Sequence, residues 1–201
     1  METNQELKNS HKLSIKGIFP KYIIRKFLYS YSMLISVVIT AILSFLIIHF
    51  KLENTFALLD EIINITLDLL PNILGFCIGG YALIIGIGNI EALKKMSSPM
   101  EKRDNLSFFQ ILSSVFAGSL ILQCITLLLS FIIKIILKLE ITVFSKSIAI
   151  VVNCLTIIGI LFFSTLSLVL LYYTVINLFN YGQSMHFLIR LEKREQDEQQ
   201  K

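Results

Sequence analysis

The chain has 201 residues, 55% of them hydrophobic and 16% charged, with a mean hydropathy of +0.74. This is too apolar for a soluble domain and too short for two large ones, and it predicts an all-α, polytopic integral membrane protein. The net charge of +4 is modest, so the placement of Lys and Arg between the apolar runs matters more than their sum.

Some thirty mostly polar and basic residues precede the first long apolar run. A cleaved signal peptide would put its apolar stretch nearer the start, so the first span is expected to stay in the mature protein. Within residues 1–30, Pro20 and KYIIRKFLYSY read as a basic amphipathic segment. Tyr22, Ile23, Phe27 and Tyr31 share one side, while Lys21, Arg25 and Lys26 reach for lipid headgroups. Such a segment can also bind nucleic acid, but an apolar span begins beside it, so the bilayer is the expected partner and no direct nucleic-acid contact is expected.

Four spans are expected, at about 31–50, 66–90, 108–137 and 148–179, within a transmembrane domain of residues 31–181. In the first, Ser32, Ser36, Thr40 and Ser44 recur every fourth residue as a weakly polar ridge. The following KLENTFALLDEIINITL is acidic on balance at Asp60 and Glu61. It reads either as an interfacial amphipathic helix or as an extension of the second span.

The second span is glycine-rich: Asp68–Asn89 holds five of the nine glycines. Steps of four and three from Asp68 reach Asn72, Gly75, Gly79, Ala82, Gly86 and Asn89. One helical face is therefore polar or bare and suits close approach to another helix. Asp68, three residues before Pro71, is expected to cap a helix start, with an ion or proton site as the alternative.

A connector, IEALKKMSSPMEKRDNLS, leads to the third span. There Ser107, Gln110, Ser114, Ala117 and Cys124 form a stripe expected to pack on the second span's small face, with Gln123 adjacent. Asn72, Gly75, Gly79, Ala82, Gly86, Ser114 and Ala117 are thus the expected helix-packing or oligomer seam. The fourth span carries Asn153, Thr156, Ser164, Ser167 and Thr174 on one ridge and Tyr172, Tyr173 and Tyr181 as interfacial anchors. Residues 182–201 are expected to be a solvated, charged helical tail whose first turns Met185, Leu188 and Leu191 hold to the membrane surface.

Lys and Arg number six before the first span, four in the connector and four in the tail, against Lys51, Lys134, Lys138 and Lys146 on the other side. Positive-inside asymmetry then predicts both termini in the cytoplasm, with the cell inner membrane as location. Cys77, Cys124 and Cys154 sit in apolar stretches without a C-x-x-C and read as small buried hydrophobes. His11, His49 and His186 are far apart, and no HExxH, GxSxG or Walker pattern exists, so no metal, no cofactor and no catalysis are expected.

The run LLPNILGFCIGGYALIIGIGN, with SSPMEKRDNLSFFQILSSVFAGSLILQ after it, resembles small uncharacterised four-helix bacterial membrane proteins. The resemblance covers about residues 69–123, and its marks are a Pro-x-x-x-Gly-Phe start, a Gly-Gly-Tyr-Ala centre and a Ser-Pro connector. Proteins of this kind are often encoded beside phage-defence genes. The resemblance implies a membrane effector, or a regulator of a cytoplasmic nucleic-acid-sensing partner, and no catalytic residues. Where those proteins tend to carry an acidic cluster after the glycine-rich helix, this chain has Asn89, Ile90 and a single Glu91. Two functions are therefore expected: an oligomeric, pore-like membrane effector, or a non-catalytic anchor for a cytoplasmic protein encoded nearby. A small transporter is the weaker third.

Overall fold

The computed structural model describes residues 18–51, 54–87, 97–100, 106–139 and 145–199. The elements in chain order are α1 (Lys21–Leu28), α2 (Tyr31–Lys51), α3 (Thr55–Ile87), the two-residue strands β1 (Pro99–Met100) and β2 (Leu106–Ser107), α4 (Phe108–Lys138) and α5 (Lys146–Gln199). Helices α2 to α5 are each long and apolar enough to cross a membrane. The chain is an all-α polytopic membrane protein with a glycine-rich second spanning helix.

The helix ends follow local chemistry. Ser30 separates α1 from α2: its Oγ donates to the Phe27 carbonyl at 2.6 Å and accepts the Met33 N–H at 3.3 Å, an N-cap contact. α4 starts with a capping box: Ser107 Oγ accepts the Gln110 N–H at 3.1 Å, and Gln110 Oε1 accepts the Ser107 N–H at 2.9 Å. β1 and β2 pair antiparallel, Pro99 with Ser107 and Met100 with Leu106.

Two expected boundaries move. α3 begins at Thr55, so the acidic stretch around Asp60 is the first turns of the second span rather than a separate interfacial helix. Pro71 lies inside that helix. Helix α5 continues through Gly182 to Gln199, about 80 Å of helix at 1.5 Å per residue. Residues 88–96, 101–105 and 140–144, which carry Asn89, Glu91 and the basic connector residues, lie outside the described residues, as do Lys51 and Lys26 beyond their backbones.

The chain divides into two compact units, each assembled from separate stretches. The first contains Met1–Lys26, Cys77–Gly118 and Tyr172–Lys201. Ile84, Leu112, Phe116 and Tyr181 form its core, and Tyr81, Phe108, Phe109, Leu178, Met185 and Leu188 pack around them. Met185 and Leu188 thus belong to a protein core rather than to a membrane-surface anchor. Tyr81 and Phe116 stack with ring centroids 5.6 Å apart. Tyr181 is buried, and its hydroxyl donates to the Ile84 carbonyl at 3.0 Å. That carbonyl is among the last of α3, which have no partner within the helix, so Tyr181 serves as a C-terminal cap where an exposed anchor was expected. Among the described glycines, Gly118 is the one whose missing side chain is used most tightly, since a β-carbon there would stand 3.3 Å from Phe19 Cε1.

The second unit contains Phe27–Phe76 and Ser119–Leu171. Its apolar core is Leu59, Ile63 and Ile157, surrounded by Ile47, Leu58, Ile62, Leu67, Ile133, Leu137 and Leu161. Large apolar side chains such as Leu34, Phe45, Leu128, Phe131 and Leu155 point outward. This is the arrangement expected when the solvent is lipid, because burying them offers little advantage there.

Candidate functional site

Chemistry-bearing side chains gather in the interior of the second unit. Ser32, Ser36, Thr40 and Ser44 of α2 are all buried, as are Thr55 and Thr66 of α3, Ser119, Gln123, Thr126 and Ser130 of α4, and Thr165 and Ser167 of α5. A hydroxyl facing hydrocarbon has nothing to bond, so the helices turn these ridges toward each other. Many hydroxyls donate to their own helix one turn back: Ser36 to Ser32 at 2.7 Å, Thr66 to Ile62 at 2.9 Å, Thr126 to Leu122 at 2.8 Å, Ser167 to Phe163 at 2.8 Å. Others join helices, with Thr40 Oγ1 and Thr165 Oγ1 3.1 Å apart and Thr66 Oγ1 and Ser164 Oγ 3.2 Å apart.

Among the described residues, an ion pair ties α3 to α4. Lys134 Nζ donates to Asp60 Oδ1 at 2.5 Å, with side chains 19% and 36% exposed, and Asn64 Nδ2 lies 3.4 Å from Asp60 Oδ2. Nearby in the same unit Asn153 reaches Thr55 at 3.5 Å. Lys134 therefore pairs within the chain instead of extending alone to the headgroups. Among the described residues no three His, Cys, Asp or Glu side chains converge as a metal would require.

The bare face of α3 is the second notable surface. Asn72, Gly75, Gly79, Ala82 and Gly86 are exposed, and nothing lies within 4 Å of a β-carbon built at Gly75, Gly79 or Gly86. The expected packing of this face on the third span is not what the chain does. α3 instead turns Cys77, Gly80 and Ile84 inward, and Gly80 meets Leu178 and Phe116 at 3.8 and 3.9 Å. Bulky side chains give more contact per residue than a row of glycines, and they win the interior. Of the expected partner residues on α4, Ser114 is buried and Ala117 half-buried.

Asp68 shares the exposed face. It stands in the middle of α3, thirteen residues past Thr55, where every backbone N–H has a partner one turn back, so it cannot cap a helix start. Its own carbonyl accepts the Asn72 Nδ2 at 3.1 Å. Proline leads sequence reasoning astray here: Pro71 suits a first turn, but a long span also tolerates it internally.

Elsewhere the sequence signals land unevenly. The α2 ridge is buried as expected. On α4 Ser107 and Ser114 of the expected row are buried, but further along the interior takes Ser119, Gln123, Thr126 and Ser130 instead, which leaves Cys124 exposed. Cys77 is buried and Cys154 half-buried. Lys21 and Arg25 are exposed on α1, opposite the buried Ile23. The Asp60–Lys134 pair was missed, although acid and base near the ends of two adjacent spans are its signal. Comparison with known protein families, with curated proteins and with solved structures finds no match.

Proposed function

We propose that the protein is a homo-oligomeric membrane effector with pore-like action, assembled through the bare face of α3. The observation that carries this is the exposed Asp68, set on that face with Asn72 and the glycines, halfway along a membrane-spanning helix. A carboxylate facing lipid at such depth costs about 2.5–3.5 kcal/mol on insertion scales. A second copy would replace lipid with a close-packed, polar neighbour. The same glycines that offer nothing to the chain's own core let two backbones approach.

The resemblance to proteins encoded beside phage-defence genes gives the reading its biological form. Opening would depolarise the cell, triggered by a cytoplasmic partner encoded nearby, with both termini in the cytoplasm and the inner membrane as site. The distribution of Lys and Arg supports that orientation.

The test is the oligomeric state in nanodiscs together with conductance in liposomes. Asp68→Asn keeps a polar contact and should assemble and act as the wild type does, while Asp68→Leu should be well folded and monomeric. If Asp68→Leu assembles and conducts like the wild type, the seam lies elsewhere.

A second reading, a non-conducting anchor, has one observation of its own. α5 runs on for about 27 Å past residue 181 as a helix that exposes Arg190, Lys193 and Arg194, with Arg194 paired to Glu198 at 3.1 Å. Such a rod would display a recognition surface to a soluble protein. A silent bilayer with partner capture abolished by truncation after Gly182 would favour it.

A further inference from the structure

We propose that the interior of the second unit is a latent water path, held dry by an apolar zone two layers deep. Ile47, Ile63, Ile133 and Leu161, one from each of α2, α3, α4 and α5, belong to the cluster around Leu59, Ile63 and Ile157. One turn along each helix, on the same face, come Ser44, Thr66, Ser130 and Ser164. The helix directions make these four hydroxyls a second layer. α3 and α5 run parallel, as Thr55 with Asn153 and Thr66 with Ser164 show, while α2 and α4 run against them, as Thr40 with Thr165 and Lys134 with Asp60 show. A further turn on, Thr40, Thr126 and Ser167 continue the polar lining, with Thr40 bonded to Thr165. One turn the other way Leu59, Leu137 and Ile157 form the second apolar layer, and beyond it lie Thr55 and Asn153, with Asp60 paired to Lys134.

An apolar ring between two polar zones is how a pore stays closed without a plug, because water leaves a narrow hydrocarbon-lined neck. An independent sign is that the hydroxyls of Ser44 and Ser130, both buried, have no hydrogen-bond partner in this conformation. Buried polar groups in that state are the ones a water molecule satisfies. The permeant class is water rather than an ion. The lining is hydroxyl and amide, and Asp60 and Lys134 at its end neutralise each other. The inference goes beyond the effector reading and needs only that the four helices cross a bilayer.

The experiment measures osmotic water permeability of proteoliposomes by stopped-flow light scattering. Ile63→Ser should raise it about tenfold over wild type, equivalent to ~1.4 kcal/mol off the barrier. Ile63→Thr, closer to the native shape, should raise it in the same direction. Ile65→Ser, on the lipid-facing side at 56% exposure, should change nothing. With Cys77, Cys124 and Cys154 replaced by Ala, Ser130→Cys should react with a small cationic methanethiosulfonate in the Ile63→Thr background and resist it with Ile63 intact. Leu128→Cys should resist it in both. Should both Ile63 variants fail to fold, Leu161→Thr from the same layer takes their place with the same expectation. Folded variants as watertight as wild type, with Ser130→Cys protected, overturn the proposal. Combining Ile63→Thr with Asp68→Leu separates it from the oligomer: a leak that persists in monomers lies inside one chain, and one that vanishes belongs to a seam between copies and refutes the internal path.

Discussion

Gly79 and Gly80 are adjacent in sequence and opposite in surroundings, which makes them a test of where the chain ends and its assembly begins. A β-carbon at Gly79 meets nothing within 4 Å, whereas one at Gly80 would stand 3.8 Å from Leu178 Cδ2 and 3.9 Å from Phe116 Cε1. Those are ordinary contact distances, so Gly80→Ala fits and should stabilise by about 0.5–1 kcal/mol through helix propensity. Gly80→Leu is different. Its further carbons enter space already held by Phe116 and Leu178, and overpacking of this kind costs about 1–3 kcal/mol. Gly79→Leu should leave the stability of a single chain equal or raised by up to about 1 kcal/mol. It should nonetheless abolish self-association, because a Leu holds two backbones apart at a small-residue crossing. The chain contains no Trp, so unfolding is best followed by far-ultraviolet circular dichroism during denaturing-detergent titration, and association by energy transfer between labelled copies. A loss of monomer stability in Gly79→Leu as large as in Gly80→Leu would refute the assignment of the bare face to the outside of the chain. Undiminished association in Gly79→Leu would refute its role as a seam.

Two further outcomes follow from contacts within single units. Lys134→Met should destabilise by about 1–3 kcal/mol because it strands the Asp60 carboxylate, and Asp60→Leu in the same chain should restore most of the loss; with Asp60 about a third exposed, the coupling in a double-mutant cycle is set at about 1–2 kcal/mol, and additive losses would show that the pair is not formed. Tyr181→Phe removes only the hydroxyl that caps α3 and should cost about 1 kcal/mol, with faster amide exchange over the last turn of that helix; unchanged exchange there would mean the Ile84 carbonyl has another donor.

Composition and periodicity made the class of the molecule legible. Runs of about twenty apolar residues can only be helices in lipid, because only a helix satisfies its own backbone there, and this sets four spans regardless of tertiary detail. The α2 ridge was legible for the same reason: a row of Ser and Thr every fourth residue has no stable place facing hydrocarbon. The capping box at Ser107 and Gln110 is local chemistry as well, although their spacing alone reads as part of a packing stripe.

What the pattern did not decide was which face of a given helix meets which neighbour. On α3 the sequence pattern singles out the face of glycines for packing, but the helix also carries a second face, of Cys77, Gly80 and Ile84. The second is buried because Phe116, Tyr181 and Leu178 from distant parts of the chain supply matching volume, and no local rule contains that information. Asp68 changed role for a related reason. A proline three residues away marks a helix start in water, but in a long apolar span the helix had already begun at Thr55, held by Leu59 and Ile63 against Ile157 nearly a hundred residues on. The sequence by itself determined that the chain enters the membrane and where; only the tertiary structure, through the complementarity of side chains remote in the chain, decided which polar residues lie inside and which small ones are left outside.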